Sequence, residues 1–354
     1  MTSRTLYFTA PATVEVREEA VPEPEAHQVR VRATYSAISP GSEALVYRGQ
    51  WALNGDAPTS GVDPISDGLR YPFRYGYSLV GVVDAVGTDV DPRWQGVRVF
   101  ALAPHGSHHC CTPDELVVLP DDLDDRDAVF LANAETAVNL VLDAAPRIGE
   151  RVLVLGQGVV GLLATGCLAR FPLDQLVTTE LDPWRRQYST EMGAHAALDP
   201  SDPEAEARLR ELLHVDPGVS SGAGGADVIL ELTGRPEALN EALAYAGYET
   251  RIVVGSWYGA QSVPLDLGGA FHRQRIQLVA SQVSTLASAL RGRWTHARRM
   301  DVALGALRAI RPSRLVTDVF PLVRAPEAYA TLASERQSSI QILFRYPEDS
   351  EPRA

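Results

Sequence analysis

Residues 151–161, Arg-Val-Leu-Val-Leu-Gly-Gln-Gly-Val-Val-Gly, decide the fold of this chain. Gly156, Gly158 and Gly161 form a G-x-G-x-x-G pattern that directly follows an apolar strand pattern and directly precedes an apolar helical one. The pattern alone arises easily by chance, but this strand–turn–helix context is typical of a dinucleotide-binding loop. In such a loop the first glycine makes the tight turn, the second admits a pyrophosphate and the third packs the helix on the strand. We therefore expect the diphosphate at the helix N-terminus, beside Val159 and Val160.

An acidic residue closes the next predicted strand. Glu180 lies 24 positions after Gly156, at the end of the stretch 176–180. A carboxylate there accepts hydrogen bonds from the adenosine ribose and repels a 2′-phosphate, which favours NAD over NADP. Arg185 and Arg186 follow and would partly offset that repulsion. The alternative is that Glu180 is only a surface acid at a strand end.

Strand and helix patterns alternate from residue 124 to residue 280, which predicts βαβ units around a parallel sheet. The first 120 residues contain short strands with Pro- and Gly-containing connections instead, and residues 50–77 read as a long loop. The predicted fold class is α/β, a Rossmann doubly wound parallel sheet together with a β-rich domain. We predict helices over 124–144, 159–171, 184–192 and 236–246, and parallel strands over 151–155, 176–181, 226–232, 251–254 and 276–280.

Composition excludes several classes of protein. The 354-residue, 38.3 kDa chain is long enough for two domains. All 32 basic residues are arginine, so a Schiff-base lysine, a P-loop lysine and a Tyr–Lys catalytic pair are excluded. The net charge of −13 disfavours nucleic-acid and membrane partners. No signal peptide or long apolar run is visible, and three cysteines are too few for a disulfide framework, so we expect a cytoplasmic protein.

Two segments of the β-rich region resemble the active-site segments of the medium-chain dehydrogenase/reductase superfamily. They are Tyr35-Ser-Ala-Ile-Ser-Pro-Gly-Ser-Glu43 and Tyr75-Gly-Tyr-Ser-Leu-Val-Gly-Val-Val83. With the central Rossmann pattern, the resemblance covers nearly the whole chain. It implies a GroES-like catalytic domain over residues 1–133, a dinucleotide-binding domain over 134–282 and a C-terminal return to the catalytic domain over 283–354. It also implies an NAD(P)-dependent, alcohol dehydrogenase-like oxidoreductase that forms a homodimer.

The chain departs from the zinc-dependent members where they carry their metal ligands. Ser39, or Pro40 after a one-residue gap, replaces the first ligand cysteine, and Tyr77-Ser78 replaces a His-Glu pair. The third ligand should fall in 129–134, where no thiolate or carboxylate is found. Since a catalytic zinc site needs three protein ligands, we expect no catalytic zinc. The two segments are most similar to the zinc-lacking branch that includes bacteriochlorophyllide a dehydrogenase.

Without a metal, hydroxyl groups must stabilise and protonate the substrate oxygen. The resemblance places Ser39, Ser42 and Tyr77 around that oxygen, with Tyr77 as the proton donor, and it places Thr136 beside the nicotinamide. Glu43 replaces a family aspartate and would orient the loop. The alternatives are that Ser39 and Ser42 are turn residues around Pro40-Gly41 and that Thr136 is an ordinary helix residue.

The leading hypothesis is an NAD(H)-dependent, zinc-independent oxidoreductase that interconverts an alcohol and a carbonyl of a small-molecule substrate. A second hypothesis keeps the fold but makes the chain an NADPH-dependent enone or quinone reductase. A third makes it a dinucleotide-binding sensor without turnover.

Two further clusters have weaker interpretations. His108-His-Cys-Cys111 is more readily a strand than a metal site, because adjacent strand residues point to opposite faces. Arg291, Arg293, Arg298 and Arg299 form either an anion site or a solvated helical face.

Overall fold

The computed structural model describes residues 2–50, 70–215, 224–259, 261–334 and 339–346. The chain divides into two compact units. The β-rich unit contains Met1–Ala132 and Leu307–Ala354, and the Rossmann unit contains Asn133–Ala306. The β-rich unit is therefore assembled from two separate stretches of chain. Among the described residues, no helix has both the length and the apolar character needed to cross a membrane.

The β-rich unit contains a two-stranded sheet and a mixed sheet of seven strands within the described ranges. Its strands are β1 (Thr2–Ala10), β2 (Thr13–Ala20), β3 (Val29–Ala37), β4 (Leu79–Val86), β5 (Arg98–Ala101), β6 (His108–Cys111), β7 (Leu116–Val118), β14 (Val316–Pro321) and β15 (Gln341–Arg345), and its helices are α1 (Ser42–Tyr47), α2 (Asp125–Ala128) and α9 (Ala325–Ala333). β1 pairs with β2, and the larger sheet has the order β14-β15-β3-β4-β5-β7, with β6 also paired to β3. Strands from both stretches of chain thus meet at β3 and β15.

Alternation of apolar and polar side chains explains how these strands build a core. In β3, Val29, Val31 and Ala33 are buried, whereas the intervening Arg30 and Arg32 are partly exposed. Aromatic rings fill the centre of this core, including Phe8, Phe73, Tyr75, Tyr329 and Phe344. The second active-site segment, residues 75–83, therefore begins inside the hydrophobic core.

The Rossmann unit is a parallel sheet flanked by helices. Its strands are β8 (Arg151–Leu155), β9 (Gln175–Thr179), β10 (Ala196–Leu198), β11 (Ala226–Glu231), β12 (Ala246–Val254) and β13 (Gln277–Ala280), and the helices of this part of the chain are α3 (Leu131–Ala144), α4 (Val159–Leu168), α5 (Pro183–Glu191), α6 (Ala205–Leu212), α7 (Ala238–Tyr245) and α8 (His296–Ile310). The strand order is β10-β9-β8-β11-β12-β13, with every described pairing parallel. The order reverses beside β8, which is the point where doubly wound sheets bind ligands. This confirms the predicted fold class.

Two differences from the prediction concern the longest predicted helix and the division between the units. The helix predicted over 124–144 is two helices, α2 and α3, and in the gap between them the carbonyl oxygen of Val129 accepts a hydrogen bond from Ser78 Oγ (2.6 Å). The return to the β-rich unit was expected at residue 283, whereas the structure places the division at Leu307. Residues 283–306 belong with the Rossmann unit since Arg299 is bound to residues on α3. The loop predicted over 50–77 lies largely outside the described residues, because 51–69 are not described.

Candidate active site

The glycine loop, Gly156–Gly161, connects β8 to α4. Gly156 has a φ of +88°, and a Cβ built there would lie 2.8 Å from the carbonyl oxygen of Leu232. A Cβ on Gly161 would lie 2.2 Å from the carbonyl oxygen of Gly156. A Cβ on Gly158, in contrast, would have no atom within 4 Å. The packing of the protein itself requires glycine at two of these positions, and the third leaves an open cradle of the kind that a diphosphate fills.

The first turn of α4 lies directly behind this cradle. Gly158 is the N-cap residue with extended backbone, and Val159 and Val160 are the first two helical residues. The N–H groups at the start of a helix have no intrahelical acceptors, so they present partial positive charge to an anion. The structure thus places the two valines where the sequence predicts that phosphate oxygens bind.

Glu180 follows β9 and binds the glycine loop directly. Its Oε2 accepts a hydrogen bond from the backbone N–H of Gln157 (2.8 Å), and its Oε1 accepts one from Asp182 N–H (3.1 Å). Gln157 is fully buried, and its amide oxygen accepts a hydrogen bond from Thr165 Oγ1 (3.0 Å). The carboxylate of Glu180 is therefore fixed beside the cradle and is more than a solvated strand-end acid.

The two arginines after Glu180 differ in their surroundings. Arg186 donates hydrogen bonds to the carbonyl oxygens of Glu180 (2.8 Å) and Leu181 (2.7 Å) and forms an ion pair with Asp199 (3.0 Å). Arg185 lies in the first turn of α5 and is partly buried. Because Arg186 is already bound to acceptors, its charge offsets the repulsion by Glu180 less than the sequence suggests.

A cavity of about 300 Å³ lies at the same edge of the Rossmann sheet. Its wall includes the last residues of β8 and β9, Leu155 and Thr179, and it also includes Pro200, Ser201 and Tyr245. Ligands of open α/β sheets bind outside the carboxyl ends of the strands, next to the point where the strand order reverses. The cavity, the glycine loop and Glu180 are therefore neighbouring parts of one candidate binding surface.

Thr136 lies on α3, in a helix that is anchored by buried charges. Arg299 is almost fully buried and donates to Glu135 Oε1 through Nε (3.0 Å) and a terminal nitrogen (2.7 Å), to Asn139 Oδ1 (2.6 Å) and to the carbonyl oxygen of Val283 (2.5 Å). Arg299 is consequently not part of a solvated face or an open anion site. Its role is to hold the helix that carries Thr136.

The three hydroxyl groups predicted for catalysis form one cluster, which we call the hydroxyl cluster. Ser42 Oγ lies 2.9 Å from Ser39 Oγ and 2.7 Å from the Tyr77 hydroxyl, and the Tyr77 hydroxyl lies 2.5 Å from Ser39 Oγ. Ser39 is buried, whereas Ser42 and Tyr77 are partly exposed. The three hydroxyls lie within hydrogen-bonding distance of one another, and each is able to donate one hydrogen bond.

Local backbone structure brings the two serines together. β3 ends at Ala37, the turn contains Pro40 and Gly41, and Ser42 is the first residue of α1. The serines are three positions apart across this turn, and Tyr77 reaches them from the segment that enters β4. Turn chemistry alone explains Pro40 and Gly41, but it does not explain why both serine hydroxyls contact the same tyrosine.

The environment of Tyr77 keeps its phenol protonated at neutral pH. Burial raises the pKa of Tyr77, an effect that its hydrogen bonds with Ser39 and Ser42 partly oppose and that nearby Glu43 reinforces. A protonated phenol donates a hydrogen bond and is a reservoir for one proton. Of the hydroxyls in the cluster, Tyr77 is thus the one best suited to general acid chemistry.

Glu43 lies beneath the hydroxyl cluster and is fully buried. Its Oε1 accepts a hydrogen bond from the backbone N–H of Ser39 (2.9 Å), and its Oε2 lies 3.0 Å from His105 Nε2 and accepts from the Tyr329 hydroxyl (2.6 Å). On the far side of the imidazole, Ser36 Oγ connects to Tyr346 (2.8 Å). Sequence reasoning found Glu43 but missed its partners, which carry no local motif.

The donor set around the hydroxyl cluster does not fit a zinc ion. Zinc in proteins is bound by thiolate, imidazole or carboxylate groups, whereas Ser39 and Tyr77 offer neutral hydroxyls, and no residue of 129–134 carries a thiolate, imidazole or carboxylate. Among the residues that the structure describes, no group of three or more His, Cys, Asp or Glu side chains could hold a metal ion. The hydroxyl groups of Ser39 and Tyr77 are therefore not a donor set that zinc prefers.

The His108–Cys111 segment is strand β6, paired antiparallel with β3. Burial raises the pKa of the Cys111 thiol to about 12 and also raises the pKa of Cys110, while burial lowers the pKa of His109. Neutral thiols are poor metal ligands and poor nucleophiles. The segment thus serves the sheet, in agreement with the strand interpretation.

Comparison with known proteins extends this description. The family model for zinc-binding dehydrogenases matches residues 159–299. D-guloside 3-dehydrogenase of Escherichia coli (strain K12) is 24% identical over 98% of this chain and 97% of its own length. L-threonine 3-dehydrogenase of Anaeromyxobacter sp. (strain Fw109-5) is 25% identical over 78% of this chain and 85% of its own length. Among solved structures, RspB from Escherichia coli CFT073 in complex with NADH has a TM-score of 0.77 and 19% identity, covering 98% of this chain and 99% of that one.

The comparisons agree with the geometry at each level. The solved relative shares the fold over 98% of this chain, and the two related proteins named above are dehydrogenases that match 98% and 78% of it. The chain is thus an oxidoreductase of the alcohol dehydrogenase type. The match to the zinc-binding dehydrogenase model and the dehydrogenase relatives support the medium-chain dehydrogenase/reductase superfamily.

Proposed function

We propose that this chain is an NAD(H)-dependent, zinc-independent oxidoreductase that interconverts an alcohol and a carbonyl by hydride transfer. The observation that carries the proposal is the hydroxyl cluster, in which Ser39, Ser42 and Tyr77 lie within 2.5–2.9 Å of one another. Ser39 and Tyr77 stand where the resemblance places metal ligands of the zinc-dependent members of the superfamily. They supply hydrogen bonds to a substrate oxygen, and hydrogen bonds of this kind stabilise the charge that develops on an alkoxide.

The residues of the Rossmann unit fit a nicotinamide dinucleotide. The open space at Gly158 and the N–H groups of Val159 and Val160 suit the diphosphate, and the nearby cavity suits the adenine ring. Glu180 suits the adenosine ribose. Its negative charge disfavours a 2′-phosphate, and Arg186 is held by Asp199, so we propose NAD in preference to NADP.

The cofactor supplies the hydride acceptor in alcohol oxidation and the hydride donor in carbonyl reduction. The contribution of the protein is to hold the substrate oxygen and to move one proton. In the direction of reduction, Ser39 and Ser42 donate hydrogen bonds to the carbonyl oxygen, and the Tyr77 hydroxyl transfers its proton to the developing alkoxide. In the direction of oxidation the steps run in reverse: Tyr77 first loses its own proton to water through Ser42, and the resulting phenolate accepts the proton of the alcohol. Ser42, which is partly exposed, passes protons between Tyr77 and water.

The proposal is tested with purified protein, NAD⁺, NADP⁺ and a panel of secondary alcohols, together with NADH and a panel of ketones and enones. We expect the cofactor absorbance to change with alcohols and ketones, and Tyr77→Phe to lower kcat by about 100-fold or more because the general acid is lost. The dissociation constant for NADH should stay the same in this variant, since Tyr77 lies outside the Rossmann unit. Tyr248→Phe, a change at a half-exposed tyrosine, is the matched control and should not alter kcat.

Three results would contradict the proposal. Oxidation of NADPH by enones but not by ketones would favour an enone or quinone reductase. NADH binding without turnover of any compound in the panel would favour a sensor. About one equivalent of zinc per chain in dialysed, untagged protein, lost together with activity on chelation, would show that the hydroxyl cluster is not the electrophile.

We also propose that the protein forms a homodimer through the edge of the Rossmann sheet. β13 is the last strand in the order of that sheet, and an edge strand offers a row of backbone N–H and C=O groups for pairing with another chain. Light scattering coupled to size exclusion should then give twice the 38.3 kDa mass of the chain. A mass of one chain at micromolar concentration would contradict this proposal.

A further inference from the structure

His105 is fully buried in the connection between β5 and β6, and both of its ring nitrogens are occupied. Nε2 lies 3.0 Å from Glu43 Oε2, and Nδ1 lies 2.7 Å from Ser36 Oγ. The acceptor-only carboxylate makes Nε2–H the donor in the first of these contacts. Ser36 lies near the end of β3 and Glu43 lies in α1, so the ring bridges the two sides of the turn that carries Ser39.

The carboxylate of Glu43 links His105 to Ser39. Glu43 Oε2 faces His105, and Oε1 of the same group accepts the backbone N–H of Ser39 (2.9 Å). A rigid carboxylate that is held at both oxygens fixes the height of the Ser39 backbone relative to the imidazole. Tyr329 provides a further donor to Oε2 (2.6 Å), which leaves the buried charge well solvated by protein groups.

His105 also contacts the second active-site segment. Gly76 has a φ of +124°, and a Cβ built on it would lie 2.9 Å from His105 Cδ2 and 3.0 Å from Nε2. The backbone just before Tyr77 therefore rests against the edge of the imidazole ring. In addition, the backbone N–H of His105 donates to the carbonyl oxygen of Tyr75 (3.3 Å).

We infer that His105 is a positioning residue that sets the distance between Ser39 and Tyr77. It holds the first segment by a hydrogen bond through Glu43 and holds the second by ring packing against Gly76. A side chain without a donor at the Nε2 position loses the hydrogen bond to Glu43, and a smaller side chain loses the packing against Gly76. This inference rests on the proposed role of the hydroxyl cluster in holding the substrate oxygen.

Two amide variants separate the contacts of His105. His105→Gln keeps a donor near the Nε2 position and can still reach Glu43, whereas His105→Asn is shorter and keeps only the contact with Ser36. We expect His105→Asn to lower kcat by about 100-fold, because a misplacement of about 1 Å in a catalytic group has an effect of that size. His105→Gln should retain kcat within about fivefold, and the KM for the alcohol should change less than kcat in both variants.

The crystal structures of the same variants give a readout that does not depend on turnover. In His105→Asn the Ser39 Oγ–Tyr77 hydroxyl distance should exceed hydrogen-bonding range, and in His105→Gln it should stay close to the 2.5 Å of the parent. His27→Gln, a change at an exposed histidine of the same unit, is the control for both measurements. The crystal structures report whether the β-rich unit of each variant is folded, and NADH affinity reports the same for the Rossmann unit.

The outcomes distinguish this inference from the proposed function. If the parent protein turns over no alcohol or ketone, the proposed function fails, but the two crystal structures still test whether His105 sets the distance. The inference is overturned if the hydroxyl cluster is unchanged in His105→Asn, or if His105→Gln loses as much activity as His105→Asn. Should His105→Asn not fold, the retention or loss of kcat and of the 2.5 Å contact in His105→Gln decides the matter.

Discussion

Two glycines of the same loop should respond in opposite ways when a methyl group is added. In Gly161→Ala the new Cβ would lie 2.2 Å from the carbonyl oxygen of Gly156, so the helix must move by about 1 Å to restore an ordinary contact. Overpacking of this kind costs about 1–3 kcal/mol. For a unit of this size, we expect the melting temperature to fall by about 2–12 °C.

In Gly158→Ala the added methyl group meets no atom within 4 Å, and the backbone φ of −68° suits alanine. The melting temperature should therefore stay the same or rise slightly, since alanine reduces the entropy of the unfolded chain. The methyl group would, however, occupy the cradle proposed for the diphosphate. We expect the dissociation constant for NADH to increase by at least about tenfold, which corresponds to 1.4 kcal/mol of binding free energy.

Differential scanning fluorimetry without ligand and fluorescence titration with NADH measure the two effects separately. The reasoning is refuted if Gly158→Ala binds NADH as tightly as the parent, because the diphosphate would then not approach Gly158. It is refuted equally if Gly161→Ala melts at the temperature of the parent, because the short contact with Gly156 would then be relieved without cost.

Three further predictions follow from buried groups. Arg299→Met should lower the free energy of unfolding, measured by urea denaturation, by about 3–5 kcal/mol, because it leaves buried Glu135 unpaired. The control is Arg298→Met, a change at the neighbouring exposed arginine that lies over Trp294, and it should cost no more than about 1 kcal/mol. Equal effects of the two changes would contradict the assigned roles. Burial raises the pKa of Tyr329 and Tyr346 above the ordinary value of 10, so the folded form keeps protons that the unfolded chain loses. The free energy of unfolding should therefore keep its full value below pH about 10 and fall above it, and the chain has no lysine that would titrate in the same range. A guanidinium midpoint that does not shift between pH about 8 and about 11 would disprove this. Burial raises the pKa of Cys111 to about 12 and that of Cys167 to about 11. A disulfide reagent at pH about 8 should therefore label these thiols slowly in the native protein and fully in denaturant. Rapid labelling of the native protein would argue against their burial.

The Rossmann part could be predicted from sequence because its signals are local. The strand at 151–155, the glycine loop and the following helix lie within 18 residues of one another, and each has its own hydrophobic pattern. The strand at Arg151–Leu155 was predicted with both ends correct, and the other predicted strands of this sheet were found with shifted ends. The short strand β10 and helix α6 were missed, since a three-residue strand carries too little periodicity to stand out.

The hydroxyl cluster was predicted only as far as resemblance reached. Ser39, Ser42 and Tyr77 lie in segments that could be aligned with a family, but nothing in the sequence indicates that all three hydroxyls meet. The partners of Glu43 could not be found in this way, because His105 and Tyr329 are 62 and 286 positions away from it. Contacts over such distances depend on how the strands and helices of the β-rich unit pack together, which no local pattern encodes.

The boundary between the units was misjudged for a related reason. The sequence shows a last strand near residue 280 and then no further βα unit, so a domain end at 282 was the natural reading. The chain instead stays with the Rossmann unit until Ala306. The interaction responsible, between Arg299 and Glu135, joins residues 164 positions apart and leaves no mark in composition or periodicity.

Because the β-rich unit is built from two separate stretches of chain, its parts are synthesised at different times. Ile38, next to Ser39, donates its backbone N–H to the carbonyl oxygen of Ile342 (3.0 Å) and accepts a hydrogen bond from Gln341 Nε2 (2.7 Å), and Glu43 is held by Tyr329. During translation, the whole Rossmann unit leaves the ribosome before any of these partners. A nascent or C-terminally trimmed chain can thus form the dinucleotide site first. The hydroxyl cluster takes up its described geometry only when β15 pairs with β3.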